Sequence, residues 1–137
     1  MSFDHERRAI ENRFAANYSA TGVKYENVPF DQPDNSSWVA ITVLSGEGQT
    51  ASIGTGSSQL KRFSGIIQMD VYTVEDGGTS GGRQLADTIA TIFDNVQFSS
   101  GSSGTITTRV PSFATRGVEN GWHHSVVSVA YHRSNFT

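Results

Sequence analysis

A chain of 137 residues has the length of one domain and buries roughly two thirds of the surface its unfolded form exposes. It contains no cysteine, which excludes thiolate catalysis, thiolate zinc sites and disulfides. Its net charge of -3, from 10 Lys and Arg against 13 Asp and Glu, gives no electrostatic case for nucleic-acid binding as the main task. No apolar run approaches the ~20 residues of a membrane span. The polar start Met1-Ser2-Phe3-Asp4-His5-Glu6 lacks the basic-then-apolar pattern of a signal peptide, so a soluble protein made in the cytoplasm is expected. Charged residues are 17%, below the ~25% of an average domain, and Gly, Ser, Thr and Asn fill the gap. Such a surface suits a loop-rich β protein, and it also suits tight contact with other proteins.

Ser2 is placed to cap a first helix, with Asp4 and Glu6 at the positive end of its dipole. Phe3, Ile10, Phe14 and Tyr18, helped by Ala9, form its apolar stripe. Glu6, Arg7, Arg8 and Arg13 fall on the other side, which reads as solvated or subunit-facing. The helix should stop before Thr21-Gly22, and 23–28 reads as a short strand. A loop follows, from Pro29 to Ser37. Trp38 to Leu44 is a strand with both faces fairly apolar, as expected of a central or helix-covered strand. Gly46 to Ser58 is rich in Gly, Ser and Thr; it reads as a long hairpin arm or a mobile loop, with a short strand at Gln49 to Ile53.

From Phe63 onward, Ile67, Met69, Val71 and Thr73 share one strand face, and Gln68, Asp70 and Tyr72 the other. The chain breaks at Gly77-Gly78-Thr79-Ser80-Gly81-Gly82. Leu85, Ala86, Ile89, Ala90, Ile92 and Phe93 then recur at helical spacing. A Ser/Gly connector runs from Asn95 to Gly104. Strands are expected at 105–110 and 113–118, a tight turn at Asn120-Gly121, and a final strand at 122–133. On that strand Val127, Val129 and Tyr131 share one face; His124, Val126, Ser128, Ala130 and His132 share the other. The tail 134–137 carries no clear signal. The expected fold is α+β: a single domain with a mixed, mainly antiparallel sheet and two helices packed on it.

The glycine cluster before the second helix lacks the Lys-Ser/Thr of a P-loop and the spacing of a dinucleotide loop, so it reads as a turn. His123 and His124 point to opposite faces and cannot share a metal, and His132 lies too far along the strand to join His124. Asp70 would be a general base only if a histidine faced it across the sheet; a solvated or interface acid is the plainer reading. Ser112, Ser125 and Ser128 lack a nucleophile-elbow context. No catalytic residue, cofactor or metal is expected.

Several segments, taken in order, resemble the tail terminator or tail-completion proteins of lambda-type long-tailed phages. They are Arg8-Ala9-Ile10-Glu11-Asn12-Arg13-Phe14, then Tyr25-Glu26-Asn27-Val28-Pro29-Phe30, then Pro33 with Trp38-Val39-Ala40-Ile41-Thr42-Val43. Phe63 to Tyr72, Leu85 to Phe93 and Gly121-Trp122-His123 complete the set, which spans nearly the whole chain. No single segment is specific; their order and spacing carry the resemblance. It implies a structural virion protein that forms a homohexameric ring, caps the tail tube, stops its growth and joins the tail to the head neck. Its implied partners are its own copies, the tail tube protein, a head-completion or neck protein, and DNA that passes through the lumen unread. No membrane is involved. Host cytoplasm would be the place of assembly, and the head-proximal end of the tail the final location. The family contributes no catalytic residues. The 46–58 arm, with Gln49 and Ile53, is expected to dock on the tube or a neighbour. Trp38, Tyr72, Arg7, Arg8 and Arg13 are expected at subunit contacts, because aromatic residues and arginine are the usual interface anchors. Another neck or tail-tube ring protein is the alternative, followed by a small-molecule-binding domain or enzyme.

Overall fold

The computed structural model describes residues 3–33, 36–50, 60–74, 80–101 and 104–136. Two helices and seven strands follow in the order α1 (Phe3–Asn17), β1 (Gly22–Tyr25), β2 (Trp38–Thr50), β3 (Leu60–Val74), α2 (Ser80–Ile92), β4 (Gln97–Ser99), β5 (Thr105–Thr108), β6 (Ser112–Glu119) and β7 (Trp122–Phe136). The strands form one curled sheet in the order β1-β2-β3-β7-β5-β4, and only β1–β2 is a parallel pair. This is the α+β architecture expected.

β7 organises the sheet. One of its edges pairs with β3 along its whole length, from Trp122 opposite Val74 to Phe136 opposite Leu60. Its other edge is shared: β6 pairs with residues 122–128 and β5 with 131–134. Asn120 and Gly121, at φ 52° and 81°, make the tight β6–β7 turn, the conformation an Asn-Gly pair favours.

Both helices cover the same sheet face. α1 packs on α2 and β2; α2 packs on β3 and β7. The period-two pattern delivers Val39 and Ile41, then Ile67, Met69 and Val71, then Val127, Val129 and Tyr131 to that face, and all are buried. Ile10 and Phe14 from α1 and Ile89 and Phe93 from α2 close over them, with the Phe14 and Phe93 rings stacked at 6.4 Å. Each such side chain, fully buried, contributes about 1.5–3 kcal/mol relative to exposure. Thr108 fastens the end of α2 to this core: its buried hydroxyl donates to Phe93 O at 2.6 Å and accepts from Val96 N at 2.9 Å.

Several boundaries differ from the expectation. Glycines 81 and 82 lie inside α2, and Gly82 is buried against the Thr73 side chain. β2 continues to Thr50 across a bulge between Ser45 and Gly48, and pairs with Lys61–Gly65 of β3. The Gly46–Thr50 part of the expected arm is therefore hairpin strand; residues 51–58, including Ile53, lie outside the described residues, as do the Ser2 cap and Gly77–Thr79. The signal-free tail is strand as far as Phe136, held by the opening residues of β3. β4 sits within the Ser/Gly connector and pairs with β5. Glu6 is not on a solvated helix side. It is 1% exposed and faces the sheet.

Candidate assembly surfaces

The uncovered sheet face carries two unlike ends. At one end the strands align Trp38, Tyr72 and His124 side by side, because Trp38 pairs with Tyr72 and Tyr72 with His124 in register. Their rings stack at 4.1 Å and 4.5 Å, nearly parallel. Phe30 packs on the outer side of Trp38, and Trp122 meets its edge at 6.1 Å. Cross-strand aromatic pairs of this kind add about 0.5–1.5 kcal/mol each beyond burial. The expected interface residue Trp38 is only 6% exposed and serves mainly to close this end of the subunit.

Asp70, one position along the same face, meets the histidine that the sequence could not supply. His124 Nε2 donates to Asp70 Oδ1 at 2.7 Å, and both side chains are largely buried. Gln68 Nε2 also donates to the Asp70 carboxylate, at 3.2 Å. On the other side of the imidazole, Nδ1 lies 3.8 Å from Glu119 Oε2. Asp70 is therefore neither solvated nor solitary. An imidazole bonded to a largely buried carboxylate and stacked against a phenol suits a structural pair. The Tyr72 phenol ionises less readily than usual, because of burial and the nearby Asp70 and Glu119 charges.

Across the sheet, on the helix side, a buried cluster secures the base of the β2–β3 hairpin. Glu6 of α1 accepts from Arg133 Nε at 3.0 Å, from Tyr131 Oη at 2.9 Å and from Ser45 Oγ at 2.9 Å. Burial, then the Glu6 charge, push the Tyr131 phenol far above its usual range, so it remains a donor. The Arg133 guanidinium lies over the Phe63 ring at 4.6 Å, and Phe3 meets Phe63 edge-on. The hairpin thus emerges from a fixed base, while Gly46, Glu47, Gly48, Gln49 and Thr50 of β2 are all exposed.

The remaining expected contacts divide. Arg8 is exposed and Arg7 partly exposed, and they hold Asp4 between them; the Arg7 hydrogen bond is the largest of the effects that lower the Asp4 carboxyl below its usual range. Arg13 is committed within the subunit, donating to Ile92 O at 2.9 Å and lying over the Phe98 ring. Tyr72 is half-buried in the ring stack, and Gln49 is exposed beside Arg62. A third surface was not anticipated from sequence: β6 is a sheet edge with Phe113 and Val118 exposed, and a groove of about 360 Å³ separates it from α2, lined by Arg83, Ala86, Ala90 and Phe113. Among the described residues, no group of three or more His, Cys, Asp or Glu is arranged to hold a metal, and no helix is long and apolar enough to cross a membrane.

An exposed hairpin strand, an open sheet face and an unprotected edge strand are the surfaces of a small α+β structural subunit that meets other proteins. Residues 7–131 match the sequence profile of the phage tail terminator protein, and the chain belongs to that family. It is accordingly a structural protein of the phage virion and interacts with other components of the tail. Fifteen chains of solved structures are similar to it. One of them, 21% identical, covers 100% of this chain and 98% of its own with a TM-score of 0.75, a likeness of fold. No curated protein sequence matches the chain.

Proposed function

We propose that this protein is the tail terminator itself: a homohexameric ring that caps the finished tail tube, stops its growth and joins the tail to the head neck. The observation that carries this reading is the profile match over residues 7–131, nearly the whole chain. Assembly takes place in the host cytoplasm, and the ring ends at the head-proximal end of the virion tail. DNA passes through its lumen without being read.

The physical requirement is a heterologous contact that closes after a fixed rotation, with one ring face matching the tube end and the other not repeating it. The described surfaces supply unlike patches for such a contact. The hairpin with Gln49 stands at one place, and the β6 edge with Phe113 and Val118 at another. The 46–58 arm, with Gln49 and Ile53, docks on the tube or on a neighbour. Arg7 and Arg8 reach the neighbouring subunit, and Arg13, Trp38 and Tyr72 shape the contacting surfaces from beneath.

Mass by light scattering over a wide concentration range, with negative-stain images of the same samples, tests the reading. Closed six-fold rings that do not stack are expected, either alone or once purified uncapped tails are added. Long stacked tubes would instead assign the chain to the tail-tube class. Tails that keep growing in the presence of the protein would end the terminator reading.

A further inference from the structure

The open sheet face changes character toward the hairpin. Beyond the exposed cross-strand row Leu44–Ile66–Ala130, the next rows of that face are Ser64–His132–Thr107 and Gln49–Arg62–Ser134–Thr105. Arg109 joins them beside β7, its backbone N–H bonded to Ala130 O at 2.9 Å. Arg62 and Arg109 are both exposed. They flank His132 closely enough that, after burial, their charges hold its imidazole below its ordinary pKa. None of the residues in these rows is acidic. Glu47 lies in the β2 bulge nearby, and Asp70 is further along the face, engaged with His124.

From this juxtaposition we propose that the Arg62–His132–Arg109 patch of the helix-free sheet face contacts the phosphodiester backbone of duplex DNA without reading sequence. The proposal rests on the ring reading for its place in the virion and names the surface that would meet the genome there. Same-face rows of a sheet are spaced about 6.6–6.8 Å apart, so the cations stand in separate rows of a low surface rather than in a pocket. Between them Gln49, Ser64, Thr105, Thr107 and Ser134 supply short polar side chains, a class that bonds phosphate oxygens and fixes position without specifying bases. A protein-docking core would be enriched in aromatic residues. Here the aromatic residues are closed together at the opposite end of the face. The chain's net charge of -3 does not prevent such a contact. Beyond the ~10 Å screening length at 0.1 M salt, the acids elsewhere weigh little against a local cluster. Few cations also mean a weak, salt-labile contact, the kind that lets a polymer slide.

The test is fluorescence anisotropy of a labelled 30-base-pair duplex with the full chain, repeated from 25 to 200 mM salt and with a second duplex of unrelated sequence. Equal affinity for both duplexes is expected. The Arg62→Ala/Arg109→Ala variant should bind at least about tenfold more weakly at low salt, and its log–log salt slope should be shallower by about two, close to one for each lost phosphate contact. Lys24→Ala/Arg83→Ala removes the same charge from the β1 end of that face and from α2, both away from the patch, and should bind like the unmodified chain. Equal loss in both variants, or none in the first, overturns the proposal. So does an Arg62→Ala/Arg109→Ala protein that still binds the duplex but no longer caps purified tails, because the patch would then be a protein-docking surface. An unmodified chain that caps tails and binds no duplex at 25 mM salt overturns this inference alone. Duplex binding lost in the arginine variant, with no capping by either protein, would sustain the patch and remove the ring reading.

Discussion

Glu6 and Arg133, 127 positions apart, form a 3.0 Å ion pair in which the side chains are 1% and 0% exposed. The pair joins the first turns of the chain to the end of β7, beneath the emerging hairpin. Breaking a buried pair by removing one member costs about 3–5 kcal/mol, because the surviving charge keeps its desolvation penalty. Glu6→Ala should therefore lower stability by about that amount in urea denaturation. Glu6→Gln retains acceptor capacity for Tyr131 and Ser45 and should lose less. Equal stability of Glu6→Ala and the unmodified chain would mean that the cluster does not hold α1 to the sheet.

Gly65 sits against this cluster with no room for a side chain. A Cβ there would stand 2.5 Å from Tyr131 Oη and 2.6 Å from the Leu44 carbonyl oxygen. Gly65→Ala should cost about 1–3 kcal/mol, the usual range for overpacking. Adding Tyr131→Phe removes the hydroxyl clash but leaves the ring carbon Cζ at 2.7 Å and the backbone oxygen, so the double variant should not return to the stability of Tyr131→Phe alone. Urea midpoints of the three variants measure this, and full relief in the double variant would show that the ring and Leu44 O both yield freely.

Most of the core was legible because its elements repeat a strong period. Ile67, Met69 and Val71, and Val127 and Val129, alternate with polar or small residues, and α2 repeats its apolar positions at helical spacing. What stayed hidden lacks a local signal. A charged residue in a helix among arginines reads as solvated, and only the return of Arg133 after the whole sheet buries Glu6. The same holds for Asp70, whose partner His124 arrives 54 positions later. β4 has three residues, too few to display alternation, and the strand beyond Arg133 carries Ser and Asn in place of apolar residues because the long β3 partner holds it. Of the anticipated contact residues, the sequence pattern put Arg8 and Gln49 at exposed positions and Arg7 at a partly exposed one. It did not reveal that Trp38 and Arg13 are engaged within the fold. The basic patch was likewise invisible, because its members come from β3, β7 and the end of β5.

His132 gives the patch a pH signature. Burial, followed by the charges of Arg62 and Arg109, lowers its pKa in the folded state, whereas the unfolded chain takes up the proton near the ordinary value of about 6.5. Above that value His132 is neutral in both states and contributes nothing. As the pH falls through it, the unfolded state binds more protons, and folding loses stability. His132→Gln should flatten the decline in urea midpoint between pH 7 and 5. Parallel declines in the two proteins would mean that the imidazole feels no net opposition to protonation.

The hairpin itself is the decisive element for the terminator reading. Its base is held by the Glu6 cluster and by the pairing of β3 with β7, and Gln49 and Thr50 pair only with Arg62 and Lys61 of β3. Deleting Gln49–Ser57 removes those two pairs and shortens the connection from β2 to β3, and changes in connection length alter stability only by about 0.6 kcal/mol per doubling. The variant should therefore keep its melting temperature within a few degrees and retain the same far-UV spectrum. Added to purified uncapped tails, it should fail to stop tube growth, because the surface that grips the tube or the neighbouring subunit has gone. Normal capping by this folded variant would end the idea that the hairpin is the docking element and would move that role to the exposed β6 edge with Phe113 and Val118.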